Sequence, residues 1–469
     1  MSKSILENSK NQQISMKLPD GPKIHSLFQL IKWVKTPLEF LDDCVQRYGD
    51  IFTIRLFGYP PIVFIANPQG VEQIFRSKPQ SFGIGPYNEM FSSLFGSNSL
   101  SLIAGDRHQR EKKLLMPSFH EEKVKSYAES IYKASQQVSN KWQVNQLFTA
   151  VDSMRKIVLE VILEILFGLT QGNRYQVLKS LLAEWITVTS SPMISSLIYI
   201  KFLQKDLGAW SAWGNLLRLK RKIKDFIQAE IDDRRAHPQD QNNDILSFML
   251  SATYEDGQVM TDEQVFDELM LLVGAAANPS ADALTWALYC IHKFPGAKEK
   301  LIQEIDSLGD NPDLMKIAKL PYLTAVCQES LRIYPPSATT NVRFTNSNIE
   351  IMGHQFEAGT SLVVCTHLIH RREDIYPNPK QFLPERFLER KYSTYEFTPF
   401  GGGHRTCIGK ALGMLEMKIV IATILSRYEL ALANNEPVKP KRSRVNFTPS
   451  NGVPLVMKGK RAAQKAVAL

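Results

Sequence analysis

Hydrophobic positions along this chain follow two rhythms. Near the start, Ile, Phe, Thr and Val crowd Ile51 to Leu56 and Pro61 to Ile65 on either side of a Gly-Tyr-Pro-Pro turn, which predicts a pair of short strands. Beyond them a helical period dominates. Thr261-Asp-Glu-Gln264 forms a capping box ahead of an apolar run that predicts a long helix through Leu288. Leu320 to Tyr334 reads as a second helix, stopped by Pro335 and Pro336, and Ala411, Leu415, Ile419 and Ala422 mark the buried face of a third. The pattern predicts a mainly α protein with small β-sheets.

Two uncharged stretches bear on membrane topology. Leu269 to Ala281 contains Asn278 and Pro279 and meets Asp282 before it reaches bilayer length, so a buried core helix is expected. Trp185 to Ile200 is rich in Ser and Thr. With Trp210 and Trp213 beyond it, it reads as a substrate-channel lip or a surface in peripheral contact with a membrane. Residues 1–17 are polar and resemble neither a secretory signal nor a transmembrane anchor.

The 469 residues, 44% of them hydrophobic, are enough for about three domains of ~150 residues. No linker, repeat or low-complexity block divides them, so a single domain over 18–459 is expected, between a flexible polar N-terminus (1–17) and a basic tail (460–469). Five scattered cysteines argue against a disulfide framework and for a reducing, cytoplasmic setting. The net charge of +9 permits nucleic acid, but the basic residues are not interleaved with aromatics in any recognised module. A basic face for a small acidic electron-transfer protein fits better, and nucleic acid is set aside.

The stretch richest in chemistry is Phe400-Gly-Gly-Gly-His-Arg-Thr-Cys407-Ile-Gly409. Three glycines permit backbone shapes closed to other residues, Phe400 can cover an apolar face, and the helical pattern resumes after Cys407. Free N–H groups at that helix start would favour a thiolate, with Arg405 as donor or counter-charge. Taken alone, this could be a glycine-rich turn around a buried cysteine. The spacing of glycine, arginine and cysteine resembles the heme-ligand loop of the cytochrome P450 family at every defining position.

Two further segments carry the resemblance. Glu329-Ser-Leu-Arg332 puts both charges on one helix face, an arrangement worth only ~0.2–0.5 kcal/mol on a solvated helix. Phe382-Leu-Pro-Glu-Arg386-Phe387 is similar to the family's meander, whose arginine completes a structural triad of Glu329, Arg332 and Arg386. The resemblance implies the cytochrome P450 fold and heme b with Cys407 as axial thiolate. It also implies heme contacts from Phe400, Arg405, Arg343, His108 and Lys112. Lys112 departs from the family's arginine and should make a weaker or water-mediated contact.

The larger departure lies in Leu271-Leu-Val-Gly-Ala-Ala-Ala-Asn278-Pro279-Ser280. In the family this helix carries an acid and an alcohol that relay protons, and aligning Trp286-Ala-Leu-Tyr289 places Asn278 and Pro279 at those positions. Asparagine does not ionise, and proline lacks a hydroxyl and an N–H and clashes with the Ala275 carbonyl, so a kink is expected. Ser280 could stand in as the alcohol by a register shift. Asn278, Pro279 and Ser280 are therefore the candidate catalytic set.

The resemblance implies an oxidoreductase acting on a small hydrophobic molecule with O2 and electrons from a separate donor, by hydroxylation or by oxidative coupling or ring closure. Its sequence style is similar to soluble bacterial fatty-acid and terpene hydroxylases. Natural-product members that couple substrates also replace the threonine. Electron-independent rearrangement of a hydroperoxide, or peroxygenase chemistry, is an alternative, since members of that kind often lack the alcohol. A heme protein that binds ligands without turnover is an alternative of another class.

Family position assigns an apolar pocket to Phe91, Phe95, Ala275, Ala276, Thr339, Val342 and Val453, each of which could equally be packing. No nucleotide-binding glycine motif is present, so electrons would come from a ferredoxin and its reductase or a similar donor, docking at Lys112, Lys113 and Lys410.

Overall fold

The structure is a computed structural model and describes residues 18–199, 204–237, 243–309, 312–443 and 445–461. The expectations for residues 1–17 and for most of the basic tail lie outside the described residues.

Helices dominate, as the periodicity predicts. The longest runs unbroken from Asp262 to Lys293 with Pro279 inside it, and its N-terminus carries the expected reciprocal cap. The Thr261 N–H donates to Gln264 Oε1 at 2.8 Å, and the Gln264 N–H donates to Thr261 Oγ1 at 3.2 Å. This helix is buried along most of its length. It packs most extensively on the apolar helix Ala150–Phe167 and also meets the helices Pro321–Ile333 and Lys410–Arg427. Among the described residues no helix is long and apolar enough to cross a membrane.

The sheets are small. Ile51–Ile54 pairs antiparallel with Ile62–Ile65 in the register Ile51 to Ile65, as the two β-rich runs predict. Ile62–Ile65 then pairs parallel with Ser361–Val364, followed by Arg343–Thr345 and Phe82–Gly83. A three-stranded sheet joins Leu147–Thr149, Pro454–Lys460 and Tyr428–Leu432. A separate hairpin, Pro440–Ser443 with Asn446–Pro449, reaches the long helix, where the Phe447 carbonyl accepts the indole N–H of Trp286 at 2.9 Å.

Three local expectations are corrected. Trp185 and Trp213 are core residues rather than surface, while Trp210 is 98% exposed. Ala411 is exposed, because the first turn of its helix lies beside the accessible Cys407; the buried face begins at Leu415. Val453 is fully buried, with positive φ, and its carbonyl accepts the Ala150 N–H at 2.9 Å. That places it at the start of the helix Ala150–Phe167 as a core residue, with no side-chain surface open to a pocket.

Candidate functional site

The glycines of the cysteine loop are there for want of space. A Cβ on Gly402 would lie 2.1 Å from Phe75 Cδ2, and one on Gly403, at φ +65°, would lie 2.3 Å from the Phe75 carbonyl oxygen. Both contacts are closer than any side chain tolerates, so the loop closes on Phe75 only with glycine. The Cys407 N–H donates to the Phe400 carbonyl at 2.9 Å, and the helix Lys410–Arg427 follows. Cys407 is the one accessible cysteine among five unpaired ones.

The electrostatics differ from the simple helix-start argument. Although the residue is reached by solvent, the protein atoms crowded around its thiol push it up, and the Gly409 N–H, Lys112 and Lys410 oppose that only in part. Arg405 is turned away from the sulfur: its guanidinium donates to the Leu100 carbonyl at 3.0 Å and to the Ile103 carbonyl. Lys112 takes the place beside the loop, donating to the His404 and Thr406 carbonyls at 2.8 and 3.4 Å.

Around this loop five basic side chains converge: His108, Lys112, Arg343, His404 and Arg405. Among the described residues Lys112, Arg343 and Arg405 donate to backbone carbonyls, such as that of Gly402 for Arg343 at 3.3 Å, and none of the five is paired with a carboxylate. Burial, reinforced by mutual repulsion, holds His108 down to about 3, His404 to about 4 and Arg343 to about 9; burial alone lowers Arg405 to about 10. The buried Nδ1 of His108, Nδ1 of His404 and Nε of Arg343 have no hydrogen-bond partner. Unpaired buried donors and clustered cations are costly, and a ligand carrying two carboxylates would relieve both. The donor set therefore fits a dianionic cofactor beside Cys407.

The brace behind the loop is as the motifs predict. Glu329 and Arg332 are fully buried and joined by two bonds of 2.7 and 2.8 Å, and Arg386 Nε reaches Glu329 Oε1 at 3.2 Å. Arg332 also donates to the His370 carbonyl at 2.7 Å, and Arg386 donates to the Pro377 carbonyl at 3.0 Å.

The long helix is less buried at Gly274, Ala275 and Ala276 than on either side of them, with Ala275 exposed. Phe91 and Phe95 stack with centroids 6.2 Å apart, and a Cβ on Gly274 would lie 2.3 Å from Phe95 Cε1. Phe95 thus packs against both Phe91 and the long helix at Gly274. Thr339 is half-buried, its carbonyl held by Ser337, and the Val342 carbonyl accepts from Asn88 at 3.4 Å.

Asn278 and Ser280, two residues apart on a helix, point to different neighbours. Asn278 Nδ2 donates to Ser190 Oγ at 3.1 Å, leaving its buried Oδ1 without a partner. Ser280 lies beside Glu416, on the helix that follows Cys407. Burial raises the Glu416 carboxyl to about 7, with the nearby Ser280 hydroxyl opposing it, and Glu416 Oε1 has no partner. Sequence reading missed Glu416. Its signal was a lone carboxylate in the apolar run Leu415-Glu416-Met417 nine positions after the cysteine.

Comparison with known proteins agrees with this geometry. The family model described as cytochrome P450 matches residues 19–455. A Mycobacterium tuberculosis protein with the provisional name cytochrome P450 135B1 is 32% identical over 443 residues, covering 93% of this chain and 91% of the relative. A second, provisionally named cytochrome P450 138, is 30% identical over 94% of this chain and 97% of its own length. Among solved structures, a retinoic acid-bound cyanobacterial CYP120A1 superposes with a TM-score of 0.82 at 21% identity, covering 94% of this chain and 99% of that one. A cytochrome P450DA heme domain gives 0.80 at 19% identity, covering 96% and 99%. A thiol loop set in a dianion-binding cradle, on this fold and with these relatives, places the chain in the cytochrome P450 family, enzymes of oxidative chemistry that bind heme through an axial cysteine thiolate.

Proposed function

We propose that this chain oxidises a small hydrophobic molecule with O2 and electrons from a separate ferredoxin-type donor, using Ser280 and Glu416 in place of the usual acid and alcohol. The observation that carries this reading is the placement of Ser280 beside the buried Glu416, whose carboxyl is raised to about 7. A group poised near neutral pH holds and releases a proton under working conditions. Bound heme supplies the iron at which dioxygen is activated. Cys407 would be its thiolate ligand, with Phe400 beside the loop, and Arg343, Arg405, His108 and His404 would hold its carboxylates.

Lys112 is reassigned by its geometry. Its ammonium is tied to the two loop carbonyls, so it braces the loop rather than docking a donor. Lys410 and Lys113 remain exposed, the latter paired with Glu255, and are the cations for an acidic electron-transfer protein. Phe91, Phe95, Ala275 and Ala276 would form an apolar wall for the substrate, with Thr339 and Val342 on the strand side. We read 18–459 as one heme-thiolate domain of the reducing cytoplasm, consistent with unpaired cysteines.

Asn278 supports a second reading. It occupies the acid position, cannot ionise, and is bound to Ser190, as suits a chain that rearranges or uses a hydroperoxide without external electrons. One experiment separates the two. Wild type, Ser280→Ala and Glu416→Gln are supplied first with ferredoxin, reductase and O2, then with hydrogen peroxide or a lipid hydroperoxide. The panel spans fatty acids, terpenes, indoles and phenols, with retinoic acid, named for a fold neighbour, among the first compounds. Turnover with O2 that falls about 10²-fold in both variants, while peroxide turnover persists, supports the first reading. Wild-type turnover with hydroperoxide alone moves the assignment to the second, and ligand binding with no turnover moves it to a binding protein.

A further inference from the structure

Of the seventeen large hydrophobic residues exposed among the described residues, five lie between Ile24 and Val34. Four of them, Leu27, Phe28, Ile31 and Val34, belong to the N-terminal helix Ser26–Lys35, which has two apolar faces, and Ile24 lies just ahead of it. One is spent on the fold. Leu30 and Trp33 pack on the cluster around Phe40 and Phe64, and buried Gln29 ties the helix down. Gln29 donates to the Pro22 and Ile24 carbonyls at 3.0 and 2.8 Å and accepts the Arg55 N–H at 2.9 Å. The helix is thus fixed in rotation about its own axis.

The other face looks outward. Leu27, Ile31 and Val34 follow the i, i+4, i+7 spacing of one helical stripe, with Phe28 beside them at 60% exposure. Lys23, Lys32 and Lys35 flank the stripe, and no acidic residue occurs between Lys23 and Lys35. An apolar stripe bordered only by lysines is the pattern of a helix lying in the plane of a lipid interface.

A second apolar element is joined to this helix. Arg442 has its guanidinium 5.3 Å from both the Trp33 and the Tyr199 ring centroids and donates to the Trp33 carbonyl at 2.7 Å. Tyr199 follows the helix Pro192–Leu197, whose end is tied to Gln204 by bonds of 3.1 Å to the Leu197 and Ile198 carbonyls. A few residues on, Leu207 is 72% and Trp210 98% exposed. An indole fully outside the fold gains most at a lipid headgroup boundary, where its ring is buried and its N–H still finds a partner.

We propose that the outer face of Ser26–Lys35, with Leu207 and Trp210, docks the protein on an anionic lipid bilayer. The charge of the flanking lysines selects the anionic surface, and the stripe supplies the apolar burial. Docking brings an apolar substrate, concentrated in the bilayer, to the side of the protein where the Tyr199 segment and the Pro440–Pro449 hairpin meet. It is independent of the oxidation chemistry.

The test uses the full chain and vesicle flotation, with no turnover required. Wild type is expected to float with vesicles of equimolar phosphatidylglycerol and phosphatidylcholine at low salt, and to be released by raised salt or by pure phosphatidylcholine. Phe28→Ser combined with Ile31→Ser, and separately Lys32→Glu combined with Lys35→Glu, should each weaken binding by at least about tenfold with unchanged thermal unfolding. Trp210→Ser provides a third variant, at a position too exposed to disturb the fold. Wild type that stays unbound to anionic vesicles, or Ser and Glu variants that float like wild type, would overturn the proposal. So would a wild-type dimer in sedimentation that the serine pair converts to monomer, since the stripe would then be covered by a second copy.

Discussion

The Thr398 backbone N–H donates to Nε2 of His370 at 3.0 Å, while the other ring nitrogen, Nδ1, bonds to the Arg332 carbonyl at 3.1 Å. The imidazole is completely buried, and its two bonds fix one neutral tautomer: Nδ1 carries the proton and Nε2 accepts. The Thr398 carbonyl in turn accepts the Gly401 N–H at 3.0 Å. His370 therefore connects the Glu329–Arg332 brace to the cysteine loop.

A glutamine can place its amide oxygen near the position of Nε2, whereas an asparagine reaches only the position of Nδ1. His370→Gln should keep the loop and the red-shifted reduced carbon-monoxide band, and His370→Asn should lose the band and about 1–3 kcal/mol of stability. Spectra and chemical unfolding of both variants check this. Burial first, then the Arg332 guanidinium, hold the His370 imidazole well below the usual range, so it stays neutral in the fold and gains a proton on unfolding. Its contribution is present above about pH 6.5 and lost as pH falls below it, by up to about 1.4 kcal/mol per pH unit. His370→Gln should flatten the acid limb of the stability profile by that slope.

Glu416 has the opposite sign. Its folded value is raised from 4.5 to about 7, so the stability it contributes is complete below the lower value and disappears as pH rises through the higher one. Glu416→Gln should therefore stabilise the protein at pH 8 by up to about 3 kcal/mol, and hardly at all at pH 4, while impairing O2-driven turnover. Unfolding at the two pH values measures the first effect. Equal shifts at both would contradict the assignment.

Glu329 balances two buried arginines and also accepts the Leu383 N–H at 2.9 Å. Glu329→Ala leaves both guanidiniums uncompensated and should cost about 3–5 kcal/mol, with loss of heme during purification. The heme-to-protein absorbance ratio and the unfolding midpoint report on it.

The contact between Phe75 and the glycine loop predicts a coupled pair. Gly402→Ala should be strongly destabilising, because its new methyl meets the Phe75 ring. Phe75→Ala alone removes a largely buried aromatic and should cost about 3–5 kcal/mol. The double variant should cost less than the sum by about 1–3 kcal/mol, since the space opened by one accepts the other. Strict additivity would show that the clash is relieved elsewhere.

Cys407→Ala should abolish the red-shifted reduced carbon-monoxide band while leaving the buried Glu329 brace intact. Persistence of that band would remove Cys407 from the role of ligand.

What the sequence disclosed was local or regularly spaced. The reciprocal cap of Thr261 and Gln264, the Glu329–Arg332 pair three residues apart and the glycine-cysteine loop are all formed by neighbours in the chain, and all are present in the structure. What it concealed depends on partners far along the chain. Arg405 turns to Leu100 and Ile103, some three hundred residues away, and Lys112 takes the loop carbonyls instead. Ser280 acquires its meaning only when the helix after Cys407 lays Glu416 against it. Trp185 and Trp210, twenty-five residues apart, look alike in sequence but end as core and surface, because packing between helices decided which face each would take.

The three cations around the cysteine loop, Lys112, Arg343 and Arg405, make cofactor loading an exchange of counter-ions. Carbonyl oxygens hold Lys112, Arg343 and Arg405 only as dipoles, and His108 and His404 stay neutral beside them, so the repulsion among the three cations persists until two full negative charges enter. Selection at this step is therefore by the acid groups of the porphyrin rather than by its metal. A metal-free porphyrin diacid should raise the unfolding temperature of the empty chain, whereas its dimethyl ester, of the same shape and hydrophobicity, should not.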